Sequence, residues 1–150
     1  DDGSAAVAAV VADPRDLALV PITATAERPW WEGLSGAGAR VMARLPFLVA
    51  PGRPAATPAV VVSAAVADEG PPEVACLAAS FPGGLDGRLV SGHGFEVISA
   101  TTGPRPSALL ARAGDGETAA LLLVKLGAVE INPCGGYAKP IEAAAKETRP

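Results

Sequence analysis

Aromatic residues are scarce in this chain of 150 residues: two tryptophans, three phenylalanines and one tyrosine. Any core must be built from alanine, valine and leucine, at about 25 cal/mol for each Å² taken from water, so many small side chains must pack closely. Histidine occurs once, as His93 between Gly92 and Gly94. A catalytic triad or a multi-histidine metal site cannot be assembled from that loop residue alone. No run of lysine or arginine occurs and the formal charge is −4, which argues against a nucleic-acid surface and an anionic membrane, since both demand clustered positive charge. The longest apolar run, Ala5 to Ala12, falls far short of the ~18 residues of a membrane span. No basic segment precedes it as in a secretory leader. The chain reads as soluble and cytoplasmic. Of its two cysteines, Cys76 lies in a predicted buried strand and Cys134 in a Pro-Cys-Gly-Gly turn. Two free thiols are the expectation.

What is present fits one compact domain or two very small ones. The 17 glycines and 15 prolines stay below the share of a disordered low-complexity chain. Apolar runs recur between them, so the chain should fold.

Residues Ser4 to Ala12 are alanine and valine on every side, with Asp1, Asp2 and Ser4 placed to satisfy free amides, and predict a short buried helix. Asp13-Pro14 stops it. Leu17 to Ile22 is a continuous apolar run, the pattern of a strand covered on both faces in a parallel, helix-flanked sheet. Arg28-Pro29-Trp30-Trp31-Glu32-Gly33-Leu34 reads as a helix start. Arg40 to Val49 reads as a strand whose Pro46 belongs at an edge or bulge. Residues 50 to 58 form the clearest linker, Ala59 to Ala67 a further strand, and Asp68-Glu69-Gly70-Pro71-Pro72 a second break.

Beyond that break an apolar strand, Val74 to Ser80, runs into Phe81-Pro82-Gly83-Gly84-Leu85. Phe95 to Ser99 alternates as a half-exposed strand. Pro106 to Gly114 reads as two helical turns closed by glycine, Asp115-Gly116 turns the chain, and Ala119 to Leu126 reads as the most apolar strand of this half. Ala128 to Ile131 and Gly136 to Ile141 give one last interrupted strand. The tail from Glu142 to Lys146 favours helix.

No set of catalytic side chains, no metal site and no cofactor motif stands out. Gly36-Ala37-Gly38 has a strand after it instead of a helix and reads as a turn rather than a dinucleotide loop. Trp30 and Trp31 are adjacent, so at most one can line a pocket while the other packs. Pro82-Gly83-Gly84-Leu85 reads either as an ordinary turn or as a strand-to-helix junction where a ligand or second subunit approaches the backbone.

Local motifs resemble known families. Ala12-Asp13-Pro14-Arg15-Asp16-Leu17-Ala18-Leu19-Val20-Pro21-Ile22 is similar to the first lobe strand of prephenate dehydratases. Thr23-Ala24-Thr25 stands where those enzymes have Glu-Asn-Ser, and their Thr-Arg-Phe motif is absent. Pro82-Gly83-Gly84-Leu85 resembles the Pro-Gly-x-Leu ligand loop of ACT domains, with Thr101-Thr102-Gly103-Pro104 where that family has Glu-Ser-Arg-Pro. The Trp-Trp pair, Val41 to Phe47 and Gly135 to Ile141 together resemble the dehydratase-like, ACT-like C-terminal region attached to alphaproteobacterial chorismate mutases, over most of residues 3 to 141. A second ACT helix would have almost no room between Leu126 and the last strand. Mutase helices and a first lobe strand are missing before Asp1, so the resemblance implies a fragment or detached domain.

The resemblance implies an α/β (α+β) protein: a remnant of a periplasmic-binding-protein-like lobe (residues 1 to 67) packed on an ACT-like, ferredoxin-like βαββ half (73 to 141), then a tail (142 to 150). It implies a regulatory or accessory function in aromatic amino-acid biosynthesis, without catalytic residues, metal or cofactor. The ligand would be an aromatic amino acid or prephenate-like molecule, its carboxylate at backbone amides near Gly83 to Leu85, with hydroxyls from Thr101 and Thr102. A homodimer formed through strand edges would couple ligand to state. The alternatives are a structural or interaction module without ligand, and a surviving prephenate-processing enzyme dependent on Thr23 or Thr25.

Overall fold

The computed structural model describes residues 3–13, 15–23, 25–34, 38–45, 48–49, 58–64, 72–139 and 141–142. These form an α+β fold in which one seven-stranded sheet carries helices on its faces. In chain order the first elements are α1 (Gly3–Ala12), β1 (Ala18–Pro21), β2 (Ala39–Leu45), β3 (Leu48–Val49) and β4 (Ala59–Ala64). Then come β5 (Val74–Ser80), α2 (Gly87–Gly92), β6 (Phe95–Ala100), β7 (Ser107–Ala113), α3 (Gly116–Lys125), β8 (Val129–Tyr137) and β9 (Ile141–Glu142). The sheet order is β1-β4-β2-β8-β5-β7-β6, and β3 pairs separately with β9.

The helix expected at Ser4 to Ala12 forms and sends Val7 and Val10 into the core. The apolar run around residue 19 departs from expectation. It forms β1, an edge strand antiparallel to β4, in which Ala18 and Val20 are buried while Leu19 is 61% exposed. A run of apolar letters cannot distinguish a strand covered on both faces from one whose outer leucines are left in water. The helix expected to begin near Trp30 is a single 3-10 turn, Trp30–Gly33, with Pro29 at its start and Leu34 already extended. Both tryptophans are buried, 5.5 Å apart edge to face, and Trp31 donates its indole N–H to Ser107 Oγ at 2.9 Å. Pro46, the linker 50 to 57, residues 65 to 71 and the tail from 143 lie outside the described residues, as do Asp1 and Asp2. Glu142 belongs to β9, where a helical tail was expected.

The second half contains strand-helix-strand-strand-helix-strand, with β8, β5, β7 and β6 adjacent in that order and all antiparallel. This is a split β-α-β arrangement. Two expectations are corrected within it. Pro106 to Gly114, read as helix, contains β7; Ala119 to Leu126, read as strand, lies on α3 and its C-terminal cap. Strand β7 is covered on both faces, so its burial does not alternate: Ala108 and Leu110 enter the cluster beneath the helices, Leu109 and Ala111 the opposite one. Helix α3 starts where the Asp115 carboxylate accepts the Thr118 amide at 3.2 Å, and Gly127, at φ 92°, follows its end. The second helix of this half is α3 itself, so it precedes Leu126 and needs no room between Leu126 and the last strand.

Two cores result. Under α2 and α3 lie Leu77, Phe81, Val90, Phe95, Leu110 and Leu123. On the other face Cys76, Ile98, Leu109, Cys134 and Tyr137 meet Val7, Val10, Trp31, Leu34, Val41 and Val62 from the first half. The first half thus covers a sheet face that the second half alone would leave in water. One backbone link to the second is Val41 opposite Gly135, where β2 runs parallel to β8. Gly135 makes this possible, since a Cβ there would strike the Val41 carbonyl; on Gly136 a Cβ would strike the Val74 carbonyl of β5 on the other side.

Candidate functional site

The six residues singled out as ligand-binding fall at one end of the sheet. Strand β5 ends at Ser80 opposite Ser107, and β6 ends at Ala100 opposite Ala108. The loop after β5 and the loop after β6 are therefore separated by a single strand, about 10 Å at the usual ladder spacing. Pro82, Gly83 and Gly84 are exposed, Leu85 partly so. Phe81 is buried, and its N–H donates to the Pro106 carbonyl at 2.8 Å, tying the loop to the start of β7. The Gly84 N–H closes a turn on the Phe81 carbonyl at 2.9 Å with Gly84 at φ 98°, a backbone region that other residues rarely adopt.

The start of α2 is occupied by the chain itself. Asp86 Oδ1 accepts the amides of Arg88 at 3.0 Å and Leu89 at 3.2 Å. An incoming carboxylate would meet this fixed negative charge there, so the loop amides and not the helix end remain for it. On the other loop Thr101 Oγ1 accepts the Ser107 amide at 2.9 Å and is half-buried, whereas Thr102 is exposed. Thr102 is the hydroxyl free to turn outward. Asp86 is legible in the sequence, because an aspartate three residues before the apolar pair Leu89-Val90 is a helix-start signal.

Beside this end lies a cleft of about 640 Å³ lined by Ala5 and Ala6 of α1, Leu19 to Pro21 of β1, and Thr23, Thr25, Glu27, Arg28 and Trp30. Thr25 pairs with Ala100, and the Ala26 amide donates to the Ala100 carbonyl at 2.9 Å. The cleft and the Thr101-Thr102 loop are therefore joined through one backbone bridge. Trp30 lines the cleft while Trp31 packs inside, the division expected of adjacent tryptophans.

Several polar groups away from this end are buried or paired. Arg44 donates two hydrogen bonds to the Glu96 carboxylate, at 2.6 and 2.8 Å, and one to Tyr137 Oη at 3.0 Å. That contact holds the guanidinium firmly charged. Burial pushes the Tyr137 phenol up, against the opposing pull of Arg44. Both cysteines are free and buried; desolvation pushes Cys134 up to about 12 and Cys76 higher still. Such thiols are protonated and inert at neutral pH. Ser99 Oγ is buried at the β-bulge of β6 and has no partner among the described residues. His93 is exposed and its Nδ1 lies 2.9 Å from the Leu89 carbonyl. Among the described residues no group of three His, Cys, Asp or Glu could hold a metal ion, and no helix is long and apolar enough to cross a membrane.

No family model, no curated protein and no solved structure matches this chain.

Proposed function

We propose that this chain is a regulatory or accessory module of aromatic amino-acid biosynthesis, an ACT-like, ferredoxin-like unit on which a dehydratase-like lobe remnant is packed. It would act beside a chorismate mutase activity that it does not itself carry. The observation that carries the reading is the shared position of two loops: Pro82 to Leu85 follows the first strand of a β-α-β-β-α-β unit, and Thr101-Thr102 follows the second, at the same end of the sheet. An amino acid there would set its carboxylate against the Gly83 and Leu85 amides and the Thr102 hydroxyl. Its ammonium would face Asp86, which is exposed and one residue beyond the loop.

The test is calorimetric titration with phenylalanine, tyrosine and tryptophan. Heat is expected for at least one, and Gly84→Val should abolish it, because a β-branched residue at φ 98° forces the loop out of shape. Absence of heat and of any thermal shift with all three at millimolar concentration would overturn the reading. The Asp86 cap favours a second one: an inherited fold that only stabilises a partner, whose helix start serves its own aspartate. On that reading Gly84→Val lowers stability or assembly and no ligand response exists to be lost.

A further inference from the structure

Residues Pro106 and Ser107 hold three parts of the molecule at once. The Phe81 N–H donates to the Pro106 carbonyl at 2.8 Å, and the Phe81 carbonyl in turn accepts the Gly84 N–H at 2.9 Å. On the other side of the strand the Thr101 N–H donates to the Ser107 carbonyl, and the Ser107 N–H to Thr101 Oγ1, both at 2.9 Å. Antiparallel pairing requires this division, because consecutive residues turn their backbone groups to opposite neighbours. One dipeptide at the entry of β7 therefore fastens both candidate loops, Pro82 to Leu85 and Thr101-Thr102.

The third part is the first half of the chain. Side chains stand out of the plane of a sheet, and that of Ser107 meets Trp31, whose indole N–H it accepts at 2.9 Å across 76 positions of sequence. Trp31 is 0% exposed and Ser107 9%, so water does not stand ready to replace either partner. Breaking the bond strands a donor in the core. Trp31 packs edge to face on Trp30, which lines the cleft described above. A second strut lies beside this one, since the Ala26 N–H donates to the Ala100 carbonyl, one residue before Thr101.

We infer that Ser107 is the positioning residue through which the first half senses a ligand held between the two loops. This rests on the loop site proposed above and names its regulation. Two states differ in one hydrogen bond. When a ligand fixes both loops, Ser107 is held where its hydroxyl accepts the Trp31 indole, and the 3-10 turn and the Trp30 wall of the cleft are held with it. When the loops are free, that bond loosens and both tryptophans shift. A ligand acts on this equilibrium only through its preference for the first state. Coupling is reciprocal, so removing the Ser107 hydroxyl must weaken the ligand, although that side chain faces the first half and not the loops.

Nuclear magnetic resonance of the nitrogen-labelled chain reads the two indole N–H signals, with Trp30→Phe to assign them. Whichever of phenylalanine, tyrosine and tryptophan gives heat should move the Trp31 signal of the wild type, a measurement that needs no variant to fold. Without ligand, Thr101→Val takes away the acceptor of the Ser107 amide and should move the same signal. Ser107→Ala should weaken binding about fivefold or more with an unchanged far-UV circular dichroism spectrum, and Ser107→Thr, which keeps the hydroxyl, should restore it. A Trp31 signal indifferent to ligand, or equal affinity in the wild type and Ser107→Ala, overturns this inference and leaves the loop site standing. If none of the three amino acids gives heat, the functional proposal falls, and Thr101→Val alone decides the link: an unmoved Trp31 signal removes it as well.

Discussion

Arg44 on β2 clasps Glu96 on β6 through two parallel hydrogen bonds, although three strands lie between them in the sheet order. Only a curled sheet brings these side chains together. The guanidinium also sits over the Tyr137 ring, 5.7 Å from its centroid, so one side chain from the first half touches two strands of the second. Arg44→Met is expected to destabilise the fold by roughly 1–2 kcal/mol in urea denaturation. Because the Glu96 side chain is 53% exposed, a double-mutant cycle with Glu96→Gln should give a coupling of no more than about 1 kcal/mol, shrinking at high salt. A coupling near zero at low salt would mean that the curl is held by apolar packing alone.

The paired glycines of β8 define a second test. Gly135→Ala sets a methyl group against the backbone of Val41 at a residue already at φ 93°, and Gly136→Ala sets one against Val74. Each should cost more than about 3 kcal/mol, the first by detaching β2 from β8 and the second by loosening β8 from β5. Gly83→Ala, where an added Cβ meets nothing within 4 Å, should change stability by less than about 0.5 kcal/mol. Thermal melts of the three variants separate a glycine required by close backbone approach from one that merely sits in a turn.

Alkaline pH should unfold the protein through its buried acids. Desolvation raises Cys134 from 9.0 to about 12, and Cys76 and Tyr137 move in the same direction. In each case the unfolded chain loses the proton first. The stability these groups contribute is therefore complete below their unfolded values and is lost as pH rises through the folded ones. Denaturation midpoints should fall from about pH 9 upward, and a thiol reagent should label neither cysteine in the native state. Cys134→Ala should flatten the alkaline limb. An unaltered limb would assign the effect to other groups.

Local signals in the sequence identified α1, β5 and β6 where they lie, because each is bounded by a proline or glycine break and carries an apolar pattern of the right length. The exchange of β7 and α3 shows where such signals stop. Ser107 to Ala113 is rich in alanine and leucine, good helix formers, yet it is the strand between β5 and β6. Ala119 to Leu126 looks like a buried strand, yet only Ala119 and Leu123, one helical turn apart, are buried among the residues of α3. Tertiary cover overrode propensity in both segments. The loops at Pro82 and Thr101 and the Asp86 helix start are legible in sequence, but the cleft beside Thr25 and the Arg44 clasp depend on residues up to 93 positions apart.

The sequence by itself settled what is local: where the chain breaks, which runs are apolar, and that charge is too sparse and too negative for a polyanion surface. Only the tertiary structure decided which apolar run becomes a central strand and which an exposed edge. The reason is that hydrophobic burial is non-directional. A stretch such as Leu17 to Ile22 is equally suited to a buried strand or an open one, and the choice falls to the backbone hydrogen bonds that its neighbours leave unclaimed.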